Sequence, residues 1–226
     1  MEIKDFRPHW EAVTQDTRDA FNLLSKIDFI NHYYLAGGTG LALHIGHRIS
    51  IDLDLFCEKA DAANFAERSA LRAVFDDPSL DITFDQDATF VATWRNVGVS
   101  FFRLNLYPLV RPPIVLNGVN LASLEEIGAM KLAAIIDRGT RKDLVDLYYI
   151  LQLVSLESIF SVAAIKYAKI SLFPVSATRA LAYFDDAEKL TMPRMIDKTS
   201  WASMKKFLSA QAMEAGRKRL DTLWRL

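Results

Sequence analysis

The sequence predicts an α+β chain: a lobe over residues 1–120 with a mixed sheet flanked by helices, then a helical lobe over residues 121–226. Three observations carry that expectation. In YYLAGGTGLALHIGH a short apolar strand runs into a glycine turn and a helix, and the alternating acidic strand IDLDLF follows. Three strand-like segments come next, LDITF, TFVATWR and VSFFRLNLY, with Gly98 near the turn of a hairpin between the last two. From about residue 121 the pattern turns helical, opened by the capping box Ser123-Leu124-Glu125-Glu126.

In chain order, Asp16 is placed to cap a helix that carries Phe21, Leu24, Ile27 and Ile30 on one stripe. In the acidic strand, Ile51, Leu53 and Leu55 are expected to face the core. A helix at about 61–75 turns Phe65, Leu71 and Phe75 inward. The helix opened at Ser123 runs to about Arg138, Gly139 ends it, and Thr140 caps the next, RKDLVDLYYILQLV. The remainder reads as helical, broken around Pro174 and Pro193.

Composition narrows the function classes. With 51% hydrophobic and 24% charged residues the chain is that of an ordinary globular protein. A net charge of −1 gives no global attraction to nucleic acid or an anionic membrane, so any such contact is local. The single cysteine, Cys57, excludes an internal disulfide and a thiolate zinc cluster. The first residues, MEIKDFRPHWEAVTQ, lack the apolar run of a signal peptide, and stretches such as LAAII are too short to cross a bilayer. The expectation is a cytoplasmic protein with no membrane partner.

The chemistry concentrates in AGGTGLALHIGHRISIDLDLF. Alternate residues of a strand point to one side, so Asp52 and Asp54 project together. Two carboxylates so close repel unless a cation sits between them, and oxygen-only ligands favour Mg2+ or Mn2+ over zinc. Upstream, the backbone N–H groups of Gly37, Gly38 and Thr39 lead into a helix and suit a phosphate, to which the Thr39 hydroxyl adds a donor. Arg48 brings a planar fork for phosphate oxygens. A phosphate cradle beside a metal pair is the apparatus of phosphoryl or nucleotidyl transfer. Taken singly, a D-x-D is usually surface charge, a Gly-Gly-Thr a turn, and His44 and His47 helix-face or surface histidines; the ordered combination points to a site.

These residues also carry a resemblance. Gly38-Thr39 followed by Asp52-Leu53-Asp54 resembles the first motif of polymerase β-like nucleotidyltransferases. The string GGTGLALHIGHRISIDLDLF is similar to one branch, the AbiEii/AbiGii nucleotidyltransferase toxins of type IV toxin–antitoxin systems. The branch's second signature, a lysine helix and then a K-D-x-x-D-L helix, matches MKLAAIIDRGTRKDLVDLYYIL, about 75 residues on. The resemblance implies a polymerase β-like lobe and transfer of a nucleotide from an NTP with magnesium. It also implies an acceptor such as the tRNA 3′ end, and a cognate antitoxin. By position, Asp52 and Asp54 would bind metal, Gly38-Thr39 the triphosphate, Lys131 phosphate charge, and Asp143 the second acidic position. Lys131 and Asp143 also admit ordinary structural roles, as does Asp146, which shares a helix face with Asp143 and has Arg141 and Lys142 as candidate partners.

One departure stands out. Polymerase β-like enzymes commonly supply a third carboxylate from a later strand. The candidate strand here is FFRLNLY, with Phe102, Leu104 and Leu106 on one face and Arg103, Asn105 and Tyr107 on the other, so Asn105 takes the carboxylate's place. An amide offers oxygen to a metal but is no general base; Asp143 and Glu126 are the substitutes. The departure also admits a nucleotide-binding module acting through a partner. An aspartate-nucleophile phosphatase is a weaker rival, because Leu55-Phe56 follows Asp54 where such enzymes usually carry Gly-Thr or similar. Lys205, Lys206, Arg217, Lys218 and Arg219, with Trp201 and Trp224, offer local positive charge for an RNA acceptor.

Overall fold

In the computed structural model, which describes residues 6–223 and side chains as far as Lys218, strands and helices alternate before helices take over. The first part holds α1 (Gln15–Leu24), β1 (Tyr34–Leu35), α2 (Gly37–Ile45), β2 (Leu53–Cys57) and α3 (Phe65–Val74). It continues with β3 (Asp81–Gln86), β4 (Thr89–Trp94), β5 (Val97–Arg103), β6 (Ile114–Leu116) and β7 (Val119–Leu121). Then come α4 (Leu124–Asp137), α5 (Arg141–Ile150), α6 (Leu156–Lys166), α7 (Phe173–Ala180), α8 (Asp185–Glu188) and α9 (Trp201–Leu223). Two compact units result, Met1–Ile127 and Gly128–Leu226, with α4 running through the division. No helix among the described residues is long and apolar enough to cross a membrane.

The first unit is built on a seven-stranded mixed sheet in the order β3-β4-β5-β2-β1-β7-β6. β2 lies parallel to β5 and antiparallel to β1, and β1 lies parallel to β7. Alternation divides the two faces. Leu53, Leu55 and Cys57 of β2 join Val99, Phe101, Phe90 and Ala92 in one apolar layer, with Phe21 and Leu24 of α1 and Leu71 and Phe75 of α3 in the same core. Asp85 points to this layer too, where Arg68 and Arg72 of α3 pair with it. The opposite face carries Asp54, Phe56, Ser100 and Phe102.

The structure departs from the sequence expectations where a local cap or turn decides. Thr14, not Asp16, caps α1, accepting the Thr17 N–H, and the helix ends at Leu24. Ile27 and Ile30 stay buried, but in the turn and 3-10 segment that follow. Asn64 caps α3, which leaves Phe65 on the first turn and 73% exposed, while Leu71 and Phe75 are buried as expected. Ile51, ahead of β2, is 41% exposed rather than in the core.

The β4–β5 hairpin turns at Arg95-Asn96, both at positive φ (48° and 65°), so Gly98 lies within β5. A second hairpin, β6–β7, turns at Asn117-Gly118, with φ of 47° and 85°. Because β7 pairs with β1, the chain is still in the sheet at Leu121, and the compact units divide after Ile127.

Burial, not hydrophobicity, should set the cost of truncation here. Leu55→Ala, at a fully buried site, is expected to cost about 2–5 kcal/mol, and Phe65→Ala less than about 0.5 kcal/mol, in urea denaturation.

Candidate active site

The site forms where β1 runs into α2 beside β2. The Ala36 N–H donates to the Asp54 carbonyl at 3.1 Å, so the chain reaches Gly37 level with that acid. Gly37 opens α2 in the left-handed region, at φ +64°, and a β-carbon there would stand 2.7 Å from Asp54 Oδ2. At Gly38 a β-carbon would stand 2.5 Å from Arg48 Nη2 and 2.9 Å from Ser50 Oγ. The two glycines thus let a carboxylate and a guanidinium close onto backbone. No side chain caps α2, so no side-chain oxygen takes up its first-turn amides or offsets its dipole.

Asp52 sits one residue ahead of β2 and is exposed. Its Oδ1 accepts the Gly98 N–H at 3.2 Å, and a β-carbon at Gly98 would stand 2.7 Å from that oxygen. The Asp52 carbonyl accepts a short hydrogen bond from the Thr39 hydroxyl, which is also bonded to Ser50 Oγ at 3.0 Å. Thr39, 1% exposed, therefore ties α2 to the acidic strand instead of offering its hydroxyl to a phosphate. Arg48 is buried as well, and its Nη1 donates to the Ile49 carbonyl at 3.1 Å.

Asp52, Asp54, Gly37, Gly38, Thr39 and Arg48 are therefore brought together. Ser50, unremarked in the sequence, belongs with them; its only signal was its place two residues before Asp52. A divalent cation fits the acid pair on two counts. The donors are oxygens alone, and the absence of a β-carbon at Gly37 and Gly98 lets each carboxylate lie against the backbone without a side chain over it. Among the described residues, no group of three or more His, Cys, Asp and Glu side chains could hold a metal.

The expected third position resolves differently from the sequence reading. β5 ends at Arg103, and Asn105 lies beyond it in a turn, because the Leu104 N–H closes onto the Cys57 carbonyl at 2.7 Å. The residue beside Asp54 on β5 is Ser100, and beside Asp52 it is Gly98. Glu126 is no substitute: it is fully buried, and its Oε2 accepts the Val110 and Arg111 N–H groups at 3.0 and 3.3 Å. Nor is His44 a ready ligand. Its Nε2 is 2.8 Å from the Ala122 carbonyl, and burial pushes its pKa down. His47 is likewise buried.

In the second unit, Lys131 and both acids of α5 form one network. Lys131 Nζ lies 2.9 Å from Asp143 Oδ1 and 2.6 Å from Asp146 Oδ2, and both carboxylates are fully buried. Asp146 thus pairs across to α4 through Lys131. Asp143 also takes Arg138 Nε at 2.8 Å and the Thr140 hydroxyl at 2.5 Å. Burial alone would raise the Asp143 pKa, but Arg138, Lys131 and Thr140 hold it down to about 2. Burial would lower that of Lys131, and the two carboxylates override it and raise it. Asp143 is committed to these cations, so it does not stand as a spare metal ligand.

The C-terminal cations are less open than expected. Trp201 Nε1 donates to Glu188 Oε1 at 3.1 Å, and Lys205 also pairs with Glu188. The Arg141 guanidinium lies 5.1 Å over the Trp201 ring, and Lys218 pairs with Glu214 at 3.0 Å. Lys206 and Arg217 are exposed; the Arg219 side chain and Trp224 lie outside the described residues.

Residues 19–225 match the family described as nucleotidyl transferase AbiEii toxin, type IV TA system. The chain belongs to that family. It is a nucleotidyltransferase with a polymerase β-like fold, and the phosphatase reading falls away. A nucleotidyltransferase candidate from H. pylori has a similar fold, with a TM-score of 0.58 at 19% identity, covering 93% of this chain and 98% of that one. The uncharacterised protein aq_aa25 of Aquifex aeolicus (strain VF5) is 29% identical over 181 residues, 77% of this chain and 84% of its own. MenT4, a nucleotidyltransferase toxin of Mycobacterium tuberculosis H37Rv, aligns with a TM-score of 0.46 at 14% identity, covering 90% of this chain and 86% of that one.

Two predictions follow from this geometry. Lys131→Met takes a cation from two buried carboxylates and should cost about 3–5 kcal/mol in urea denaturation. Because the Asp143 pKa is depressed in the folded state, its contribution is present above pH about 4 and lost as pH falls toward about 2. Urea midpoints across that window should fall less steeply in Asp143→Asn than in the wild type.

Proposed function

We propose that this AbiEii nucleotidyltransferase moves a nucleotide from an NTP to a hydroxyl of an RNA acceptor, such as the tRNA 3′ end. The reaction would need Mg2+, with Mn2+ as a substitute, and would take place in the cytoplasm under the restraint of a cognate antitoxin. The observation that carries the reading is the approach of Asp54 to Gly37 and of Arg48 to Gly38, an acid and a cation closed onto one uncapped helix start.

In this reading the acceptor oxygen attacks the α-phosphorus, the P–O bond to the β-phosphate breaks, and pyrophosphate leaves. The α2 amides at Gly37 and Gly38 hold phosphate oxygens, and Arg48 adds its fork. Asp52 and Asp54 would hold the metal, which when bound neutralises developing charge and lowers the pKa of the attacking hydroxyl. Ser100, beside Asp54, offers a hydroxyl where relatives commonly carry a carboxylate, so this position can bond an oxygen but not serve as a carboxylate base. Lys131 is proposed to act on phosphate charge, its ammonium kept protonated by Asp143 and Asp146. Thr39 positions the acids through the Asp52 carbonyl.

The test is transfer of label from α-labelled NTPs to purified tRNA. Wild type should transfer label with Mg2+, lose transfer in EDTA, and regain it when Mg2+ or Mn2+ is restored. Asp54→Asn should lower the rate at least about 100-fold with its thermal melt preserved. No transfer to RNA with any NTP, or an unchanged rate in Asp54→Asn, would overturn the proposal.

A further inference from the structure

The face of the sheet that bears the acids also bears an aromatic row. Phe56 follows Asp54 by one strand repeat, with Tyr34 of β1 on one side and Phe102 of β5 on the other. The Phe56 and Phe102 rings are stacked, with centroids 5.4 Å apart and planes 23° apart. Tyr34 and Phe56 lie 5.9 Å apart at 33°. The row then continues through Thr89 of β4, opposite Phe102, to Gln86 of β3, opposite Thr89. Tyr34 is buried, Phe56, Phe102 and Thr89 are partly buried, and Gln86 is exposed. One end of the row is sealed; the other is partly open and ends in a hydroxyl and an amide.

Cross-strand packing explains why aromatic neighbours stabilise a sheet. It does not explain why they stay partly open on the face the two acids occupy. The chain direction adds a second constraint. β1 runs antiparallel to β2, so it passes Phe56 at Tyr34, Asp54 at Ala36, and then enters the Gly37 turn. The aromatic row therefore lies on the side of Asp54 away from the phosphate cradle. A strand repeat is about 7 Å, the scale of a ribose. With phosphates at Gly37 and Gly38 and the reacting phosphorus at Asp54, a nucleoside falls beside the rings.

We infer that Phe56 and Phe102 form a stacking ledge for a nucleobase of the bound substrate, with Thr89 and Gln86 at its polar edge. The inference rests on the proposed reaction, which places phosphorus at Asp54. Base–aromatic stacking tolerates any base, because every base has a π-face. The polar edge is where a choice among bases arises, through donors and acceptors on the base rim. Two sources share this chemistry, the base of the NTP and the terminal base of the acceptor, since each is joined through its ribose to an oxygen at the α-phosphorus.

The test separates ledge from reaction by measuring binding, not turnover. Each NTP and deacylated tRNA are titrated separately, with Mg2+, against wild type, Phe56→Leu, Phe102→Leu and Phe102→Tyr. The Leu variants keep apolar bulk and lose the π-face; the Tyr variant keeps it. The ledge predicts a loss of affinity of about 5- to 100-fold in each Leu variant, for the NTP if its base is held or for tRNA if the acceptor's is, with near recovery in Phe102→Tyr. Unchanged affinity for both ligands in folded Leu variants overturns it, as does equal weakening by Leu and Tyr. If the Leu variants melt early, Phe102→Trp supplies the second measurement: saturable quenching beyond that of wild type supports the ledge, and none overturns it. A wild type that binds but transfers nothing sinks the reaction and leaves the ledge; one that transfers while the Leu variants bind normally does the reverse.

Discussion

Between the α-carbon of Gly37 and the carboxylate of Asp54 there is no room for a methyl group, and the rest of the site is arranged around that approach. Because the gap is closed, the start of α2 and the acidic strand move as one body, and any phosphate held by the helix amides is held at a fixed distance from the acid. Thr39 makes a second tie between the same elements through the Asp52 carbonyl. Gly38 makes room for the Arg48 guanidinium on the same turn. Positions 37, 38 and 39 thus divide the work: one admits an acid, one admits a cation, and one fixes the spacing of both. Preorganisation of this kind spares a phosphoryl-transfer site the cost of assembling charges during the reaction.

The second unit handles charge by a different rule. Lys131 and Arg138 meet Asp143, and Lys131 meets Asp146, in a setting where both carboxylates are excluded from water. Such a network is stable only when complete, since removing one partner leaves a buried charge without compensation. Its value is therefore more in fixing how α4 and α5 pair than in net stability.

Much of this was legible in the sequence because it depends on short-range rules. The DLD alternation, the GGT turn, the Thr140 cap and the left-handed Gly139 are each set by neighbours within a few residues. The β6–β7 hairpin has an equally local signal in its Asn117-Gly118 turn. Residues whose role comes from pairing across the sheet were not legible. Asn105 looked like the third-acid position because FFRLNLY was read as one unbroken strand, whereas β5 stops at Arg103 and its parallel register puts Ser100 beside Asp54. Glu126 satisfied the capping pattern, and its backbone N–H does bond Ser123 Oγ at 3.2 Å. Its carboxylate was drawn to the amides of Val110 and Arg111 instead, a contact that no local rule anticipates.

The same register explains why a glycine stands at 98 as well as at 37. β2 has two neighbours, and each acid leans toward a different one: Asp54 toward the turn that leaves β1, Asp52 toward β5. On both sides the place of a β-carbon is taken by a carboxylate oxygen, 2.7 Å away in each case. Two carboxylates on one strand repel, and splaying them onto opposite neighbours relieves part of that repulsion while both remain on the face away from the core. Gly98 lies inside a strand, where glycine ordinarily costs stability by its freedom in the unfolded chain. Its presence is accounted for by the acid that rests on it, so the geometry of the acid pair is written into residues far from the acidic motif itself.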